Sequence, residues 1–159
     1  MLEDAWKNFR YHLDSEEQTI DFARCFSLLL KPSDVVALHG DLGAGKSVLA
    51  RAMMRSLGVR EQVMPSPTFS IIQEYEARGC RVAHMDWYRL HGAEELEIIG
   101  VRDYFRPPWI CLIEWAERAP SLLPETTLHL HMMTAGDQPT CRVVEGRVPV
   151  SRGWKGWNG

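Results

Sequence analysis

Short apolar runs alternate with amphipathic segments along this chain, and their order predicts its architecture. Strand-type patterns occupy residues 8–13, 34–39, 69–76, 81–87, 109–115, 127–133 and 140–145. Apolar residues at helical spacing predict helices that begin at residue 14 or 15, at residue 46 and at residue 93, with a further helical turn over 101–105. Strands that alternate with helices early in the chain and form hairpins later favour an α/β sandwich with a mixed sheet.

Local signals define several boundaries of these elements. Ser15 is followed three residues later by Gln18, which predicts a capping box at the start of the first helix. Gly58 and Gly100 are placed to end the second and third helices. Turn residues between the third and fourth strands, and between the last two, predict two β-hairpins.

Eight residues between the second strand and the second helix match the phosphate-binding spacing G-x-x-x-x-G-K-[ST]. They are Gly40, Asp41, Leu42, Gly43, Ala44, Gly45, Lys46 and Ser47. The glycines allow backbone N–H groups to point inward at phosphate oxygens, and the helix start adds its positive dipole end. The alternative is a glycine-rich turn before an ordinary helix. The flanking strand and helix favour the P-loop, and so a P-loop NTPase-like three-layer α/β sandwich with a mixed central β-sheet.

The end of this motif and a distant carboxylate predict a nucleotide–metal site. Lys46 would contact the β- and γ-phosphates, and the Ser47 hydroxyl would bind Mg²⁺. A P-loop protein needs a second carboxylate near the metal, at the end of a neighbouring strand. Glu114 follows the apolar run 110–113 and has that placement, as a direct or water-mediated ligand. The alternative for Glu114 is a surface acid at a strand end.

Two further polar residues are candidates for the γ-phosphate side. Asp86 lies between Met and Trp in a predicted strand, where an unpaired acid is costly. It could position the attacking water, act as a base or hold Mg²⁺, or else form a structural pair with Arg89. Thr68 follows two prolines in an extended loop. Its hydroxyl could reach the γ-phosphate and the metal, or the loop could be only a stiff connector.

Composition narrows the class of protein. The 159 residues predict one domain over residues 1–150, followed by a Gly/Trp-rich tail over 151–159 without a pattern, expected to be poorly ordered. The net charge of −3 gives no basic excess for RNA, so a partner would carry that contact. Four dispersed cysteines predict reduced, mostly buried thiols in a cytosolic protein. No segment is typical of a membrane span or a signal peptide.

Five motifs in fixed order resemble the TsaE family, also called YjeE, over residues 15–144. They are the P-loop, the 66–69 sequence SPTF, the 84–90 sequence HMDWYRL, the 94–97 sequence EELE and the 113–115 sequence IEW. The resemblance implies a cytoplasmic ATPase of tRNA threonylcarbamoyladenosine biosynthesis. It implies work with TsaB and TsaD, which modify adenosine 37 of tRNA, with ATP hydrolysis resetting the TsaB–TsaD complex between turnovers.

The resemblance also implies roles for individual residues. Lys46 and Ser47 match the phosphate and metal positions, and Glu114 matches the second metal position. Thr68 matches a switch-like threonine and Asp86 the catalytic aspartate.

The resemblance is looser for the residues expected near the nucleobase, because the two regions that contain them vary in length. Glu16 and Gly136 would lie by the adenine. Ser47 and Val48 stand where the family commonly has two threonines, so the metal-binding hydroxyl is kept and a second one is lost. Two other functions fit a P-loop in a small domain: a small-molecule kinase and a nucleotide-gated binding module.

Overall fold

A seven-stranded sheet forms the centre of the protein, with strand order β1-β7-β6-β2-β5-β4-β3. This computed structural model describes residues 5–62, 64, 67 and 70–159. The strands are β1 Trp6–Leu13, β2 Val35–His39, β3 Ile72–Glu76, β4 Arg81–Asp86, β5 Trp109–Glu114, β6 Leu128–Thr134 and β7 Arg142–Pro149. The helices are α1 Glu16–Ser27, α2 Lys46–Leu57 and α3 Ala93–Ile99, with a 3-10 helix at Val101–Phe105.

The sheet is mixed, as the sequence predicted. Strand β2 is parallel to β5 and β6, and β4 is parallel to β5. Strands β1, β3 and β7 pair antiparallel with their neighbours. The central strands β2 and β5 are buried along nearly their whole length, which explains why both read as continuous apolar runs.

Two apolar clusters lie on opposite faces of this sheet and make three layers. Helices α1 and α2 cover one face through residues such as Phe22 and Met53. Helix α3 and the 3-10 segments cover the other through residues such as Leu96 and Val101. The predicted three-layer α/β sandwich is therefore confirmed.

The start of α1 differs in one detail from the predicted capping box. The Ser15 hydroxyl accepts a hydrogen bond from the Gln18 N–H at 3.2 Å, as expected. The Gln18 side chain instead accepts from the backbone N–H of Asp14, at 2.9 Å. The return bond therefore reaches one residue farther back than in the standard capping box. Helices α2 and α3 end at Gly58 and Gly100, as predicted.

The strand boundaries differ where tertiary pairing decides them. Strand β3 begins at Ile72, and residue 69 of the prediction lies outside the described residues. Strand β7 continues to Pro149 rather than ending at residue 145. The reason is β1, whose Trp6 lies opposite Pro149, so that the two strands pair along their full lengths.

The C-terminal tail packs against the aromatic residues of β1 and α1. Trp154 is 7% exposed, and its ring lies 5.4 Å from that of Phe9 and 5.5 Å from that of Phe26, centroid to centroid. Arg152 forms a buried ion pair with Asp34 at 2.6 Å. The tail thus completes the outer part of the core on the α1 face, although its sequence has no periodic pattern.

All four cysteines are free, and Cys80 and Cys111 are buried. Burial raises the pKa of the Cys25, Cys80 and Cys111 thiols, which keeps them protonated at neutral pH. None of the described helices has the length and apolar character needed to cross a membrane.

Replacement of Trp154 tests the importance of the tail for stability. We expect Trp154→Ala to lower the free energy of unfolding by about 3–5 kcal/mol, because it removes a large buried ring from a packed cluster. Urea denaturation measures this change. Leu28→Ala is the control, since Leu28 is 85% exposed, and it should change the stability by less than about 0.5 kcal/mol. Equal effects of the two substitutions would contradict the packing role.

Candidate nucleotide-binding site

The phosphate-binding loop connects the carboxyl end of β2 to the first turn of α2. Gly40, Gly43 and Gly45 all have positive φ angles, of 145°, 83° and 101°. Gly45 is the N-cap of α2 and has no side chain to cap the helix, so the first N–H groups of α2 are left for another acceptor. The sequence motif therefore takes a conformation that suits an anion at the helix start.

Gly40 is required because the loop lies against strand β6. A Cβ atom at this position would lie 2.4 Å from the carbonyl oxygen of Met132, a distance that real Cβ atoms do not adopt. A side chain here would push the loop away from the sheet. The close approach of Gly40 thus fixes where the loop leaves the central sheet.

Lys46 is buried at the first position of α2. Its residue is 5% exposed, and among the described residues its Nζ finds no hydrogen-bond partner. The Nζ atom lies 3.9 Å from the centroid of the Trp115 ring, a cation–π contact. A buried ammonium without an oxygen partner is costly, so this position favours an anionic ligand. Trp115 reaches it from the turn after β5, where its φ is 60°.

The two predicted carboxylates lie side by side at the same edge of the sheet. Asp86 is in register with Glu114 across β4 and β5, and Glu114 is in register with Leu38 across β5 and β2. Residues in register point to the same face of a sheet, and Leu38 belongs to the cluster under α2. Both acids therefore lie on the face of the sheet that carries α2, at the strand ends from which the P-loop also departs.

Glu114 is held by a histidine that sequence reasoning did not single out. His84 Nε2 and Glu114 Oε2 are 2.7 Å apart, and both residues are almost fully buried. His84 precedes Asp86 by two positions on β4, so it shares the same face. The two-residue spacing between His84 and Asp86 was the signal in the sequence that could have identified this histidine. Glu114 is thus a buried, oriented acid, which removes the alternative of a surface acid.

Asp86 is also buried, and part of its bonding is local. Its Oδ1 accepts a hydrogen bond from the backbone N–H of Tyr88 at 2.9 Å. Its own N–H donates to the carbonyl of Ile71, which lies just after the loop that contains Thr68. Thr68 itself lies outside the described residues, so its predicted role stays a prediction.

The donor set suits magnesium bound together with a nucleotide. The described residues contain no group of three or more His, Cys, Asp or Glu side chains placed to hold a metal. Mg²⁺ at a phosphate site needs only one or two protein oxygens, because phosphate oxygens and waters fill the remaining positions. Ser47, in the first turn of α2, and Glu114 are oxygen donors of this kind.

A small cleft of about 170 Å³ lies beside the P-loop. It is lined by Glu16, Thr19, Gly45, Val48, Pro139, Thr140 and Arg142. Glu16, predicted near the adenine, is therefore next to the phosphate loop. Gly136 lies at the tip of the hairpin between β6 and β7, is exposed and does not line this cleft. The residues of that hairpin that do line it are Pro139, Thr140 and Arg142, which the sequence prediction did not include.

Three histidines stack beside the P-loop on the opposite face of the sheet. His39 Nε2 and His129 Nδ1 are 2.9 Å apart, and the rings of His39 and His131 lie 4.3 Å apart. Burial, reinforced by the neighbouring histidines and Arg147, lowers the pKa of His129 to about 4. Burial and His131 also lower the pKa of His39, against an opposing effect of Glu117. His129 and His131 are two positions apart on β6 and therefore share a face of the sheet.

A parallel-centred α/β sheet with a P-loop at the carboxyl end of a central strand defines the P-loop NTPase-like class. The family described as "Threonylcarbamoyl adenosine biosynthesis protein TsaE" matches residues 13–143. The chain belongs to the TsaE family, as its motifs predicted.

Individual relatives agree with this assignment. The chain is 41% identical to the tRNA threonylcarbamoyladenosine biosynthesis protein TsaE of Haemophilus influenzae over 122 residues, 74% of this chain and 77% of the relative. It is 36% identical to the protein of the same name from Bacillus subtilis over 131 residues, 82% and 81% of the two chains. The crystal structure of Bacillus subtilis YdiB superposes with a TM-score of 0.75 at 31% identity and covers 94% of this chain and 91% of that one.

The lowered pKa of His129 predicts that the folded protein loses stability on acidification. Unfolded histidine titrates near pH 6.5, whereas folded His129 titrates near 4. Between these values the unfolded chain binds the extra proton, so stability falls as the pH decreases from 6.5 to about 4. We expect His129→Gln to make the thermal midpoint less dependent on pH in this window. His91→Gln, at an exposed position, should retain the wild-type slope. An unchanged slope in His129→Gln would contradict the assignment.

Proposed function

We propose that this protein is a Mg²⁺-dependent ATPase that serves threonylcarbamoylation of adenosine 37 in tRNA. The observation that carries the proposal is the buried Lys46 ammonium, which has no oxygen partner among the described residues and lies at the start of α2. A phosphate group would supply that partner and also accept the free N–H groups of the loop and helix. The TsaE family membership supports ATP as the nucleotide and tRNA modification as the process.

Each residue of the site has a defined task in this proposal. The loop 40–45 and Lys46 bind the phosphates of ATP. Ser47 and Glu114 hold Mg²⁺, which neutralises charge on the phosphate oxygens when it is bound. His84 keeps the carboxylate of Glu114 oriented through their 2.7 Å contact.

Asp86 is the candidate for positioning or activating the attacking water. It lies directly beside Glu114 in the sheet, so a carboxylate is available next to the metal position. Thr68 would contribute its hydroxyl from the loop before β3 when nucleotide is bound. Glu16 and the hairpin between β6 and β7 form the nucleobase side.

Work with partners completes the proposal. In this cytoplasmic system TsaB and TsaD modify the tRNA, and ATP hydrolysis by this subunit resets their complex between turnovers. The chain has a net charge of −3, so tRNA is contacted mainly through those partners.

Replacement of Lys46 distinguishes an effect on nucleotide binding from an effect on folding. We expect Lys46→Met to raise the Kd for ATP at least about tenfold, because a charged phosphate contact is lost. Its thermal midpoint should be equal to or higher than that of the wild type, because an unpaired buried charge is removed. Isothermal titration and a thermal melt measure the two effects, with exposed Lys31→Met as control. Retained ATP affinity in Lys46→Met would overturn the assignment of the phosphate site.

Replacement of Asp86 or Glu114 distinguishes ATP hydrolysis from nucleotide binding. We expect Asp86→Asn and Glu114→Gln each to keep ADP binding within a few-fold while lowering phosphate release about 100-fold or more, since a positioned catalytic group is worth this much. With TsaB, TsaD and tRNA, both variants should stop modification after one turnover. Glu125→Gln, at an exposed position outside these motifs, is the control.

The same experiment distinguishes the other candidate activities. If Glu114→Gln supports full multiple-turnover modification, the ATPase proposal is wrong and the protein is a nucleotide-gated binding module. Stoichiometric transfer of the γ-phosphate to a small molecule would establish a kinase.

A further inference from the structure

We propose that Arg142 is a positioning residue that holds the phosphate-binding loop in its anion-binding conformation. The proposal rests on nucleotide binding at this loop, as proposed above. It assigns a role to a residue that lies almost 100 positions away from the loop in sequence and outside the P-loop motif. The argument starts from the contacts of the Arg142 guanidinium.

The guanidinium donates to two carbonyl groups of the loop itself. Its Nε donates to the carbonyl oxygen of Ala44 at 2.9 Å, and its Nη2 reaches that of Gly43 at 3.4 Å. These two residues form the last part of the loop before Gly45 and α2. Arg142 therefore contacts the backbone carbonyls of the loop and not its N–H groups.

Loop geometry explains why these carbonyls need a donor. When consecutive N–H groups of a loop point inward at an anion, the carbonyls of the same peptide units must point outward. Outward carbonyls beside a packed sheet require hydrogen-bond donors. The N–H of Ala44 already donates to the carbonyl oxygen of Asp41 at 3.0 Å, so the Ala44–Gly45 peptide unit is the one that matters. If the Ala44 carbonyl lost its bond to Arg142, this unit could rotate and turn the Gly45 N–H away from the phosphate.

The same guanidinium also bonds to the hairpin between β6 and β7, which lines one side of the cleft. Its Nη1 donates to the carbonyl oxygens of Pro139 and Cys141, at 2.6 and 3.0 Å. Pro139, Thr140 and Arg142 line the cleft together with Glu16 and Gly45. One planar group thus connects the phosphate loop to the nucleobase side of the site.

Arg142 is anchored on the sheet. It is the first residue of β7 and lies opposite Leu13 of β1 and Thr134 of β6. A fixed backbone holds the guanidinium in one place, and its donors have a fixed fork geometry that a lysine ammonium lacks. The guanidinium also lies close to Gly45, since a Cβ built there would be 3.4 Å from the Arg142 Nε.

Binding measurements on three variants test this role. We expect Arg142→Met to raise the Kd for both ADP and ATP about tenfold, since two charge-assisted bonds to the loop are lost. Arg142→Lys should recover only part of the affinity, because an ammonium lacks the fixed fork of donors of the guanidinium. Arg147→Met is the control, because Arg147 is exposed on the same strand and stacks on Trp6 instead.

Hydrogen exchange of the unliganded protein provides a readout independent of nucleotide. In Arg142→Met, amides of residues 40–45 should exchange faster than in the wild type, while those of β2 and β5 keep their rates. General destabilisation would instead accelerate exchange throughout the sheet.

The outcomes separate this inference from the proposed function. If the wild type binds neither ADP nor ATP, the proposed function fails. If the wild type binds and Arg142→Met binds equally well, the positioning role is wrong. Weak binding with a uniform rise of exchange across the sheet would also overturn it, by making Arg142 only a structural residue.

Discussion

The buried ammonium of Lys46 is the feature on which the organisation of the site depends. The fold buries it at the start of a helix, against the ring of Trp115 and without an oxygen partner among the described residues. Burial of such a charge is tolerable only when the surrounding structure supplies a compensating contact, here the face of the Trp115 ring. The central sheet supplies the rigidity, because β2 and β5 are buried strands in parallel register.

Around this charge, the carboxyl ends of three neighbouring strands bring together groups that are distant in sequence. Asp86, Glu114 and Leu38 form one row across β4, β5 and β2. The P-loop begins two residues beyond Leu38, and the close approach of Gly40 to Met132 fixes its path. His84 then determines where the Glu114 carboxylate points. Strand register, the loop contact and one side-chain contact therefore bring these groups to a single edge of the sheet.

The last hairpin and the tail show how the C-terminal part of the chain contributes. Strand β7 pairs with β1 over its whole length, and Gly146 leaves the space that the Phe9 ring occupies. The tail adds Trp154 to the same aromatic cluster. Arg142, at the start of β7, extends from this stable region to the P-loop, where it bonds to Ala44. Fold stability and loop geometry are thereby linked through one strand.

By itself the sequence determined the class of fold, the P-loop and the family, because these depend on local spacing: alternation, helical periodicity, glycines at fixed offsets and short motifs in order. It also placed Glu114 at a strand end. Only the tertiary structure decided that His84 holds Glu114, that His39 stacks with His129 and His131, and that Arg142 donates to Gly43 and Ala44. These contacts join residues 30 to 99 positions apart, and strand register brings them together, which no local pattern encodes.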